Sequence, residues 1–65
     1  MKVYKVTNVN GNVLLVAARD LQELLDTIDL GDMIGVIKHD YHRCSVKDIN
    51  ELDYKTDCPT VIFEV

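Results

Sequence analysis

Tryptophan is absent from this chain, and phenylalanine and proline each occur once. With so few aromatics there is no ready stacking platform for single-stranded nucleic acid, which needs such rings on an exposed, positively charged face. Tyr4, Tyr41 and Tyr54 are scattered, and only Tyr4 lies between basic residues, Lys2 and Lys5. Two cysteines, Cys44 and Cys58, are too few for the disulfide framework of a small secreted domain, so reduced thiols packed in the core are expected. Basic charge is scarce as well. Seven Lys and Arg against eleven Asp and Glu leave a net charge of −4, which opposes general attraction to phosphate backbones. Long apolar runs are missing: the longest, Val13 to Ala18, is far short of the roughly 20 residues needed to cross a bilayer. The opening MKVYKVTNVN alternates polar with apolar residues and lacks the continuous apolar segment of a secretory signal. These absences point away from membrane and nucleic acid and toward a cytoplasmic protein.

What is present is an apolar fraction of 48% in 65 residues, with no low-complexity or Pro/Gly/Ser-rich run. That is enough for one ordered domain spanning residues 1–65, although a chain of this size buries only about 60% of its unfolded surface. The clearest local signal is Ala18 to Gly31. Leu21, Leu24, Leu25 and Ile28 recur at i, i+3, i+4 and i+7, so a helix would gather them on one stripe. Asp20 supplies an N-cap and Glu23 completes a capping-box variant. Gly31 supplies a stop, because it can take the left-handed conformation.

Around this helix the chain reads as strands. Lys2 to Thr7 and Val13 to Ala18 form an antiparallel hairpin through Asn8 to Asn12, which contains the turn-forming pair Asn10-Gly11. Met33 to Lys38 reads as a third strand, Tyr41 to Val46 as a fourth hairpinned to it, Lys47 to Leu52 as a short helical turn, and Thr60 to Val65 as a last strand entered through Pro59. A competing reading starts a helix at Ser45, capped by Asp48, with Val46, Ile49 and Leu52 on one stripe. The expectation is an α+β domain: a small antiparallel or mixed sheet of four to five strands, ordered ββαββ, helical turn, β, with one principal helix on one face.

Val13 to Ala18 is apolar on both of its faces, yet one helix covers only one. Either the segment around Ile49 to Leu52 folds over the second face or another subunit does, so a homodimer or partner-binding module is expected.

Two constellations bear on chemistry. His39, His42 and Cys44, with Cys58 farther on, combine ligand types suited to tetrahedral zinc, which would also stabilise so short a domain. H-x-x-H-x-C with one distant cysteine is not a finger spacing, however, so a zinc-stabilised domain is the alternative and no cofactor is the primary expectation. A Cys44–His42 nucleophile pair lacks a recognisable oxyanion-hole element, and the chain is expected not to be an enzyme. The second constellation is acidic. Asp20, Glu23, Asp26 and Asp29 recur every three residues and form a slowly winding ridge beside the leucine stripe, suited to a basic protein surface.

In general style, the opening hairpin and capped helix resemble short proteins of phages, mobile elements and gut bacteria. The resemblance covers the first half of the chain, rests on no particular residue and implies an inhibitor-like binder of host machinery. The function expected is a non-enzymatic protein-interaction module, using the apolar sheet face and the acidic ridge.

Overall fold

A computed structural model describes the backbone of residues 1–65 and the side chains of residues 1–49 and 53–65. The elements are β1 (Lys2–Asn8), β2 (Val13–Ala18), α1 (Leu21–Met33), β3 (Cys44–Asp53) and β4 (Thr60–Glu64). The strands form one antiparallel sheet in the order β3-β1-β2-β4, with α1 packed on β2 and β4. The α+β expectation therefore holds. No helix among the described residues is long and apolar enough to cross a membrane.

Strand alternation places the core. Tyr4 pairs with Val16 and Val6 with Leu14, so these side chains share the helix-covered face, where they are buried with Ala18, Leu24, Ile28, Ile37 and Tyr41. At the far end of the hairpin, Gly11 N–H bonds to Asn8 C=O at 3.1 Å and Gly11 adopts φ 84°, a left-handed turn that only glycine takes freely.

The helix starts as expected. Asp20 is the N-cap, accepting from Glu23 N–H at 2.9 Å, and the Glu23 carboxylate reaches back to Arg19 N–H at 2.8 Å. It does not stop at Gly31, which is a buried residue inside α1. The left-handed residue that ends the helical path is Gly35, at φ 79°. Gly31 serves another purpose: a Cβ there would sit 2.7 Å from Ile37 Cδ1 and 2.9 Å from Ile37 Cγ1, so its bare backbone lets Ile37 pack against the helix. Its carbonyl also accepts from both Val36 N–H and Ile37 N–H. Gly31→Ala should therefore cost about 1 kcal/mol net, overpacking of about 1–3 kcal/mol exceeding the helix-propensity gain of about 1. A lower thermal midpoint supports this; a rise would show that Ile37 moves aside freely.

Three more expectations are corrected. Met33 to Lys38 is not a strand: α1 runs through Met33, Gly35 turns the chain, and Ile37 folds back onto Gly31. Of the strand expected over Tyr41 to Val46 only Cys44 to Val46 forms, paired with β1 and not with Met33 to Lys38, and neither the helical turn over Lys47 to Leu52 nor the helix from Ser45 forms, because Cys44 to Asp53 is a single strand paired with β1. The place assigned to the Leu52 side chain lies outside the described residues. Finally, only Leu24 and Ile28 of the leucine stripe are buried. Leu21 and Leu25 are exposed by 56% and 48%: α1 packs on β2 and β4, Leu21 borders an open groove with Lys2, Tyr4 and Val46, and Leu25 lines a cleft beside Ile37 and Tyr41.

On the sheet face away from α1, Val3 and Ala17 are buried but lie outside the main core cluster, while Leu15 is only half-buried and Phe63 is exposed. That face is thus covered at one end and open at the other.

Candidate functional site

The segment between α1 and β3 has no regular structure, and three side chains strap it to the sheet. The Glu64 carboxylate, from the last residue of β4, accepts from Lys38 N–H at 2.8 Å, His39 N–H at 3.0 Å and Tyr41 Oη at 3.0 Å. Burial raises the Glu64 carboxyl pKa, but the bonds from Lys38, His39 and Tyr41, with the charge of His39, outweigh that and hold it below its ordinary value. Tyr41 is pushed up to about 12 by burial first, then by the bond to Glu64 and its charge. From the other side, Asn8 Nδ2 donates to Asp40 C=O at 3.0 Å. Asn8 is the one buried polar residue among those described, and its Oδ1 also accepts from Asn10 N–H and Asn12 N–H. The hairpin turn and the strapped loop thus share one anchor.

Between this loop and α1 lies a cleft of about 240 Å³, lined in part by Asp29, Asp32, His39, Asp40 and His42. Histidines and carboxylates gather here, yet among the described residues no three His, Cys, Asp or Glu side chains are arranged to hold a metal ion. Cys44 opens β3 opposite Asn8, whereas Cys58 precedes β4 near the Ala17 pairing. The two thiols therefore sit at opposite edges and opposite ends of the sheet. The structure brings His39 and His42 to one cleft and does not bring Cys58 to them. Both cysteines are exposed and unbridged, not part of the core.

The acidic series is divided. Asp20 and Glu23 are engaged in capping, and Glu23 also meets the Arg19 guanidinium at 3.4 Å. Asp26 accepts from Gln22 Nε2 at 3.1 Å, and Asp29 with Asp32 borders the cleft. Only the C-terminal half of the ridge has carboxylates that play no part in the cap.

An exposed apolar area lies along β4. On the helix side, Leu30, Ile34 and Val36 are exposed by 54%, 63% and 52% and share a groove with Pro59, Thr60 and Val61. Met33, beside them in sequence, is exposed by 78%. On the other side of the strand, Phe63 and Val65 are exposed as well. Sequence reasoning missed Leu30, Ile34 and Val36 as surface residues. The signal available was Leu30, an apolar residue off the Leu24–Ile28 stripe.

Family models, curated proteins and solved structures were compared with this chain, and none matches.

Proposed function

We propose that this chain is a non-enzymatic protein-interaction module that self-associates through the apolar side of the molecule built around β4. The observation that carries this reading is the concentration of exposed Leu30, Ile34 and Val36 beside half-buried Val61, with Phe63 and Val65 across the same strand. Isolated exposed apolar residues need no explanation, but a groove lined by several of them beside an edge strand marks an interaction surface. Asp29 and Asp32 lie beyond it on α1, giving the apolar centre a charged border of the kind found around protein interfaces.

Native mass spectrometry of untagged protein across a concentration series is the test. A dimer is expected for the unaltered chain and a monomer for Ile34→Asp, whose side chain is exposed, so that folding should lose no more than about 1 kcal/mol from a carboxylate at the C-cap of α1. A dimer that persists in Ile34→Asp would remove the helix-side groove from the interface. A monomer at every concentration for the unaltered chain would overturn the reading.

A further inference from the structure

The two free edges of the sheet are built differently. β3 runs ten residues and carries Lys47, Asp48 and Asp53, with Arg43 immediately before it. Charges of this kind guard an edge against pairing with another strand. β4, TVIFE, has a single charge, Glu64, and the backbone and hydroxyl donors of the strapped loop already occupy that carboxylate. Its edge carries no lysine and no internal proline.

The hydrogen-bond phase of β4 follows from its last pair. Val65 and Val13 exchange both backbone bonds, at 2.8 and 3.4 Å, so their polar groups face each other. By alternation, Glu64 N–H and C=O point away from β2, toward the free edge. The ladder slips between Leu15 and Val16, leaving Ile62 as the extra residue, which confines regular pairing on that edge to the stretch around Phe63.

We infer that β4 pairs antiparallel with β4 of a second copy of this chain about a two-fold axis at Phe63, joining the two sheets into one. This rests on the self-association read above and specifies its geometry. The axis sets Glu64 of each copy against Ile62 of the other, where the outward main-chain groups of Glu64 find strand partners. It also makes Phe63 face its own copy as a non-hydrogen-bonded pair, with Cα atoms about 4.5 Å apart, the closer of the two antiparallel spacings. An aromatic pair suits that position. Moving the axis to Glu64 would set two residues of like charge directly opposite each other, which is unfavourable. The same two-fold brings together the helix-side grooves flanking β4, so a patch on one copy meets its equivalent on the other, as a closed dimer requires.

Disulfide trapping reads this register directly. In a Cys44→Ser, Cys58→Ser background, Phe63→Cys should form an intermolecular disulfide under mild oxidation severalfold faster than Thr60→Cys, because about 4.5 Å lies within the Cα range a disulfide spans. Phe63→Trp preserves an aromatic ring and introduces the chain's sole tryptophan, so its emission should shift to the blue as concentration drives association. Equal trapping at both positions and emission that ignores concentration, in a protein that native mass spectrometry finds dimeric, would overturn the edge pairing while leaving self-association intact. A monomeric native spectrum would overturn both.

Discussion

Replacing Asn8 with alanine is expected to destabilise the fold by about 2–4 kcal/mol, since it strips partners from several polar groups, each costing about 1–3 kcal/mol when left unmade in a buried setting. Asn8 is 6% exposed. Its Oδ1 accepts from Asn10 N–H at 3.0 Å and Asn12 N–H at 2.8 Å, while Nδ2 donates to Asn12 Oδ1 at 3.1 Å and Asp40 C=O at 3.0 Å. A domain of this length has a total stability of only about 3–10 kcal/mol at 0.05–0.15 kcal/mol per residue. Urea unfolding followed by far-ultraviolet circular dichroism should accordingly show a greatly lowered midpoint. Asn8→Asp separates the two halves of the anchor: the acceptor remains, but a carboxylate then confronts the Asp40 carbonyl and Asn12 Oδ1. Its deficit should shrink as pH falls far enough to protonate it. An Asn8→Ala midpoint within experimental error of the parent would show that the loop and the hairpin turn hold without their shared anchor.

The same residue shows which parts of the fold are legible in the sequence. Asn8 to Asn12 reads as a turn because Asn-Gly chemistry is local, and Asp20 reads as a cap because its partner, Glu23 N–H, lies three residues away. Elements fixed by distant contacts read poorly. Met33 to Lys38 has the composition of a strand, but the sheet position it would need beside β1 belongs to β3, and Gly35 with the fit of Ile37 on Gly31 makes a loop of it. Cys44 to Asp53 carries polar residues on both faces, so its period is faint, and its identity as a strand comes from pairing with β1, some forty residues earlier in the chain. The candidate surface follows the same rule. The acidic series was visible from spacing alone, whereas the apolar margin depends on where α1 sits over β4. That docking determines that Leu24 is buried and Leu30 is not.

Glu64 offers the second large effect and carries a pH signature. Glu64→Ala should cost about 3 kcal/mol, because it removes a charged acceptor from Lys38 N–H, His39 N–H and Tyr41 Oη, and bonds to charged groups are worth about 1.5–3 kcal/mol each. The loss falls below their sum because Glu64 is only partly buried and the freed backbone donors can reach water. Burial acts to raise the Glu64 pKa, and the three bonds with the charge of His39 reverse that, so the folded carboxyl titrates below its ordinary 4.5. The sign follows from linkage: with the folded value depressed, the strap's contribution is complete above the unfolded pKa and disappears as pH falls through the folded one. Tyr41 works in the opposite sense. Its folded value of about 12, against 10.0, means that its contribution is intact below pH 10 and is lost as pH rises toward 12. Glu64→Gln, which keeps the shape and one acceptor, should flatten the acid limb of the stability profile and reduce the alkaline one, since part of the Tyr41 shift comes from the Glu64 charge. Tyr41→Phe should abolish the alkaline limb and leave most of the acid limb, because the two backbone donors to Glu64 remain. If Glu64→Gln retains the parent's full acid sensitivity, that sensitivity resides in other carboxylates and the strap does not set the acid limit of the fold.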